Sequence, residues 1–154
     1  LPTSPLVEVD LGPIHLSRML HTGPVVLLFI RYAGSPACAA ALRAYETTLA
    51  PALADRSAHL VAVSPQRSDR LRPLKHTNDL SFLVAADPRH QLIDALNIGF
   101  ADPGADVILG ARHSTLPFAA AVVADRTGAI RFAEVRPDWT IPIAPAQIIA
   151  ALPA

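Results

Sequence analysis

Apolar residues in this chain gather in short continuous runs, separated by turns rich in proline and glycine and by stretches with helical spacing. Val25-Val26-Leu27-Leu28-Phe29-Ile30 does not alternate and is rich in β-branched side chains, which predicts a central strand covered on both faces. Leu60-Val61-Ala62-Val63, ended by Ser64-Pro65, predicts a second buried strand, and residues 82–85, closed by Asp87-Pro88, a third. Ala119–Ala124 predicts a strand, Asp125-Arg126-Thr127-Gly128 a turn, and residues 129–135 the antiparallel partner. Asp87-Pro88 and Asp102-Pro103-Gly104 read likewise as turn chemistry and nothing more.

Between the first two strands, Leu42, Tyr45, Leu49 and Leu53 recur at steps of three and four, predicting a helix over about 36–54. Ser35 is its natural N-cap and Pro36 suits the first helical position, where no N–H is needed. Pro51 lies inside the stripe and should kink or shorten the helix. Ser68 caps a second helix carrying Leu71 and Leu74, with Pro73 disturbing its first turn. Further helices are predicted over 89–96 and 145–152. At the start, residues 6–10 alternate, Gly12-Pro13 turns, and residues 14–16 resume, giving a small hairpin. Ser17 then caps a short helical turn through about His21, and residues 101–114 read as loop.

Strand–helix–strand–helix–strand followed by a hairpin and a final helix predicts an α/β fold, a mixed β-sheet with helices on both faces. Repeats and linkers are absent, so residues 1–154 are expected to form one domain, as the length allows. Cys38 then falls at the carboxyl end of the first core strand, where open α/β sheets place their chemistry.

Composition narrows the function classes. Hydrophobic residues make up 51% and charged residues 17%, yet the longest apolar run, 118–124, is far short of the roughly 18 residues of a membrane helix. Thirteen basic and thirteen acidic residues cancel without clustering, so neither nucleic acid nor a membrane surface is an expected partner. One cysteine excludes a disulfide within the chain, and no basic-then-apolar leader is visible, so the expected location is cytoplasmic. Histidines 15, 21, 59, 76, 90 and 113 show no metal-binding spacing, and Gly-rich phosphate loops and Gly-x-Ser-x-Gly elbows are missing. No metal or cofactor is expected. Trp139 reads as a packing anchor.

Cys38 occupies about the third helical position, where unpaired N–H groups and the helix dipole favour a thiolate. Arg31, at the strand end, would reinforce this if it faces the sulfur. The competing reading is a small, buried, apolar cysteine.

The run Val25-Val26-Leu27-Leu28-Phe29-Ile30-Arg31-Tyr32-Ala33-Gly34-Ser35-Pro36-Ala37-Cys38 resembles the active-site segment of the alkyl hydroperoxide reductase/thiol-specific antioxidant family, the peroxiredoxin-like members of the thioredoxin superfamily. Leu60-Val61-Ala62-Val63-Ser64-Pro65-Gln66, Leu80-Ser81-Phe82-Leu83-Val84-Ala85-Ala86-Asp87-Pro88 and Val122-Val123-Ala124-Asp125-Arg126-Thr127-Gly128 resemble it in the same order, as does the tail around Trp139 and Pro145. The resemblance implies a thioredoxin-like (peroxiredoxin-type) fold and a thiol antioxidant protein that reduces hydroperoxides through Cys38, Ser35 and Arg31. It implies a small peroxide or thiol substrate and an external thiol reductant such as a thioredoxin-like protein, and it is compatible with a homodimer.

The family's Pro-x-x-x-Thr/Ser-x-x-Cys pattern matches Ser35 and Cys38 but has Arg31 in place of proline. The Ser35 hydroxyl would then bond the thiolate or a bound peroxide. In the branch with a Cys-Pro-x-Cys pair, Ser35 stands at the first cysteine, implying a dithiol oxidoreductase with that cysteine replaced. Peroxiredoxins carry an arginine six residues before the aspartate ending the next core strand, and thioredoxins a cis-proline nearby; here the position is Ala119. Pro117 is a candidate for a displaced turn, Arg112 or Arg31 for a displaced guanidinium, and His113 is the histidine nearest that strand. A non-catalytic thioredoxin-fold binding module is the third reading.

Overall fold

The computed structural model describes residues 1–2, 5–110, 114–137 and 143–153. In chain order it holds β1 (Leu6–Glu8), β2 (Gly12–Ile14), α1 (Leu16–Leu20), β3 (Val25–Phe29), α2 (Pro36–Thr48), α3 (Ala50–Asp55), β4 (His59–Ser64) and α4 (Ser68–Thr77). Then follow β5 (Leu83–Ala86), α5 (Gln91–Ala95), β6 (Gly99–Ala101), α6 (Ala105–Leu109), β7 (Thr115–Pro117), β8 (Ala119–Ala124), β9 (Ile130–Arg136) and α7 (Pro145–Ala150).

Seven strands form one mixed sheet in the order β2-β1-β5-β4-β3-β8-β9, and β6 and β7 pair separately. The central strand β3 runs parallel to β4 and antiparallel to β8, so Leu27 lies between Val61 and Val122. Every residue of β3 is buried. On one face Val26, Leu28 and Ile30 pack with Leu42, Tyr45, Leu49 and Leu53 from the helices. On the other, Val25, Leu27 and Phe29 pack with Leu16, Leu20, Leu92 and Ile93. Two covered faces leave β3 no polar position, which is why its sequence does not alternate. Among the described residues no helix is long and apolar enough to cross a membrane.

Several local expectations change. The stripe from Leu42 to Leu53 is buried as predicted, but the helix is two helices, broken at Leu49. Pro51 lacks an N–H and its ring excludes the carbonyl four residues back, so α2 ends at Thr48 and α3 restarts with Pro51 in its first turn. The expected loop over 101–114 contains α6, whose Ala105 and Leu109, four apart, bury themselves against Leu116, Tyr32 and Phe100. Turn signals at both ends hide this single amphipathic turn in the sequence. His15 and Arg67, not Ser17 and Ser68, occupy the N-cap positions of α1 and α4, without a side-chain bond.

Asp87 does more than turn the chain. Its buried carboxylate accepts the amide N–H groups of Gln91, Leu92 and Ile93 and so starts α5. Residues 89 and 90 of the predicted helix lie outside it, with His90 in the left-handed region at φ 44°. Glu8, an inconspicuous residue of the first hairpin, is only 1% exposed. Its carboxylate accepts the N–H groups of Asp10, Leu11 and Val84 and the Lys75 ammonium, tying the hairpin to β5 and α4.

Candidate active site

The thiol is placed by the junction between β3 and α2. The strand's last pairing bond runs from Ile30 N–H to Val63 O at 2.9 Å, after which residues 31–34 form a loop. Ser35 has the extended backbone of an N-cap and Pro36 follows at the first helical position, as its composition predicts. Three residues after the cap comes Cys38, whose N–H is donated to Ser35 Oγ at 3.4 Å. The Ser35 carbonyl accepts the next amide, that of Ala39.

Arg31 reaches this junction twice. Its backbone N–H is donated to Cys38 Sγ at 3.4 Å, and its Nη2 is donated to Ser35 Oγ at 3.0 Å. The guanidinium also lies 5.7 Å from the centre of the Tyr32 ring, within cation–π range. Ser35 Oγ therefore accepts two hydrogen bonds and keeps its own proton to donate. Cys38 and Ser35 are each 2% exposed. The sulfur thus sits in the first turn of α2 with a backbone N–H directed at it.

Beside Cys38 lies a pocket of about 40 Å³, walled by Leu42, Tyr45, Ala119, Ala120 and Ile143. That is room for one or two water-sized molecules. Burial pushes the Tyr45 phenol above its ordinary value of 10.0, so it stays protonated and donates to Ile143 O at 2.6 Å. This bond fixes α2 against the segment that precedes α7.

The three predicted site residues, Arg31, Ser35 and Cys38, are thus brought together. Ala119 forms part of the pocket wall and carries no charge to it. Across the β8–β9 ladder Ala119 is in register with Arg136, whose charge is felt at Tyr45. Cross-strand partners share a sheet face, so β9 presents a guanidinium, paired with Glu134, on the thiol side of the sheet. Nothing in the sequence signals this, because the register between β8 and β9 is set by the assembled sheet. Pro117 lies in β7 opposite Gly99, and no peptide bond among the described residues is cis. His59, His76 and His90 bond Thr22, Asp10 and Asp94 respectively. Arg112, His113 and Trp139 lie outside the described residues.

Sequence reasoning also missed Gln66, just beyond β4, whose buried side chain bonds the loop carrying Arg31. Its only signal is a position after a strand end, in a segment that reads as a turn.

Residues 2–133 match the family described as the AhpC/TSA family. The chain belongs to it. Solved structures agree on the fold of this AhpC/TSA protein, which is peroxiredoxin-like. Peroxidoxin BcpB from Mycobacterium tuberculosis superposes with a TM-score of 0.80 at 18% identity, covering 98% of this chain and 92% of that one. The bacterioferritin comigratory protein of Xanthomonas campestris, studied for alkyl peroxide reduction, gives 0.77 at 14% identity over 96% and 88%. A yeast mitochondrial 1-Cys peroxiredoxin gives 0.74 at 15% identity over 96% and 70%. Among curated proteins no significant sequence match is found.

Proposed function

We propose that this protein is a one-cysteine thiol peroxidase, with Cys38 as the reacting residue and Ser35 and Arg31 serving it. The observation that carries the reading is the Arg31 N–H directed at Cys38 Sγ at 3.4 Å, on a sulfur already at a helix N-terminus. The Cys38 thiolate attacks one oxygen of a hydroperoxide. An S–O bond forms, the O–O bond breaks, sulfur is oxidised to sulfenic acid, and the leaving oxygen takes a proton to depart as alcohol or water. The Ser35 proton suits a peroxide oxygen. The Arg31 guanidinium, held on Ser35, offsets charge developing on the leaving oxygen. With Ala119 in the pocket wall, that charge has no source at the family's usual position.

The chain has one cysteine, so reduction needs an external thiol. That thiol attacks the sulfenic sulfur, water leaves, and a second thiol resolves the mixed disulfide and restores Cys38. The yeast 1-Cys relative is described as resolved via glutathione/thioredoxin systems, which makes a thioredoxin-like protein a suitable reductant here. A compartment kept reducing, such as the cytoplasm, suits the cycle, and no step requires a second copy.

The test is free thiol counted after one equivalent of hydrogen peroxide, together with peroxide consumption in the presence of dithiothreitol. One thiol per chain should be lost, and consumption should vanish in Cys38→Ser. Ser35→Ala and Arg31→Met should each slow it by about tenfold or more. An unreacted thiol would leave a packed core cysteine and a thioredoxin-fold binding domain.

A further inference from the structure

We propose that Gln66 is the positioning residue for Cys38, holding the thiol loop in place from just beyond the end of the neighbouring strand β4. The inference rests on Cys38 being the reacting residue proposed above.

The Arg31 N–H can meet Cys38 Sγ only while the backbone of residues 31–34 keeps its path, and that path leaves the sheet pairing after Ile30. Two groups at and just beyond the end of β4 hold it. Ser64 Oγ donates to Arg31 O at 2.6 Å, and Gln66 Oε1 accepts the Ala33 N–H at 2.8 Å. The two grips are linked, since Gln66 N–H is donated to Ser64 Oγ at 3.1 Å. Gln66 is itself fixed at its other end, where Nε2 donates to Ile108 O of α6 at 3.0 Å. At 5% exposure it has both ends of its amide directed into protein.

A glutamine with an oxygen on the thiol loop and a nitrogen on α6 does not serve packing alone. An apolar residue of the same volume would fill the space but leave the half-buried Ala33 N–H without its acceptor. The loop would then relax toward other partners and draw the Arg31 N–H off the sulfur. Arg67 N–H to Leu109 O and Arg70 Nη1 to the carbonyls of Val107 and Ile108 hold α6 without Gln66. Loss of Gln66 therefore falls chiefly on the thiol loop.

Two substitutions separate positioning from general stability. Gln66→Met keeps the volume and loses both polar ends. Gln66→Glu keeps an oxygen for the Ala33 N–H and places a second oxygen, not an N–H, against Ile108 O. Stability, read by urea unfolding, should fall in both. The rate at which methyl methanethiosulfonate, a small uncharged thiol reagent, modifies Cys38 at fixed pH should fall about tenfold in Gln66→Met. In Gln66→Glu it should stay within about twofold of the parent.

Equal slowing in both variants, or no slowing in Gln66→Met, overturns the proposal. Should Gln66→Met fail to fold, Ser64→Ala removes the companion grip on Arg31 and carries the same expected loss, with an unchanged rate as the overturning result. Because this reagent is not a peroxide, its rates judge the positioning role alone. Peroxide-dependent thiol loss in the parent protein, measured separately, judges the function on which it rests.

Discussion

Glu8→Gln should destabilise the fold strongly although it changes neither shape nor size. In the parent, one carboxylate oxygen accepts the N–H groups of Asp10 and Leu11 at 2.8 and 3.1 Å. The other accepts Val84 N–H at 2.9 Å and Lys75 Nζ at 3.0 Å. An amide has one acceptor end and one donor end, so whichever way the substituted side chain turns, an NH₂ faces two donors. Each buried donor left unbonded costs about 1–3 kcal/mol, and breaking a buried ion pair about 3–5 kcal/mol. Lys75 keeps Asp10 as a partner at 3.2 Å, which limits the loss. The expected cost is about 3 kcal/mol, or ~6–12 °C in Tm for a chain of this size.

Urea unfolding at pH 7 measures it directly, and a second series in acid tests the cause. Burial pushes the Glu8 carboxyl up, but the Val84 and Asp10 amides, Lys75 and the Leu11 amide together hold it below its ordinary 4.5. A carboxyl depressed in the folded state contributes stability that is fully present above 4.5 and is lost as pH falls through the folded value. The gap between parent and Glu8→Gln should therefore close as the solution is acidified below that point. A gap under about 0.5 kcal/mol at pH 7, or one that does not narrow in acid, would refute the reasoning.

Three shorter predictions follow from other contacts. Gly23→Ala would drive a Cβ into the Ser57 carbonyl oxygen, which is backbone and cannot swing aside, so a loss above about 3 kcal/mol is expected by thermal unfolding. Tyr45→Phe strips Ile143 O of its donor and should cost about 1–2 kcal/mol in urea. Asp125, held down to about 2 first by the Thr127 hydroxyl and then, against burial, by Arg131 and the Ala129 and Thr127 amides, stabilises the hairpin above its ordinary 3.8. The stability difference between parent and Asp125→Asn should be complete above 3.8 and disappear as pH falls toward 2, as acid titration of unfolding will show.

The sheet's centre and the thiol's place were legible because both are written in local chemistry. Burial on two faces leaves a continuous apolar run at Val25–Phe29, and a helix start needs a cap and tolerates proline, as Ser35-Pro36 provide. The break at Leu49 was half legible: Pro51 announced it, but only packing decides whether a proline kinks one helix or divides it into two. Glu8, Gln66 and Arg136 were not legible. Each owes its setting to partners far along the chain, such as Val84 for Glu8 and Ile108 for Gln66, and no local pattern encodes such pairings. Asp87 escapes a sequence reading for a related reason: the same side chain that closes a turn can cap the helix beyond it.

The pairing of β3 with β4 on one side and β8 on the other sets a timetable for the chain as it is made. The β4 partner is synthesised soon after β3, whereas β8 lies roughly ninety residues downstream, about 5–20 s at ordinary elongation rates. Until then one flank of a wholly apolar five-residue strand offers its N–H and C=O groups to any neighbour. The strand at the heart of the finished molecule is the exposed edge of the nascent one. Ribosome-bound chains stalled before residue 119 should accordingly be the aggregation-prone species and the ones that chaperones hold longest.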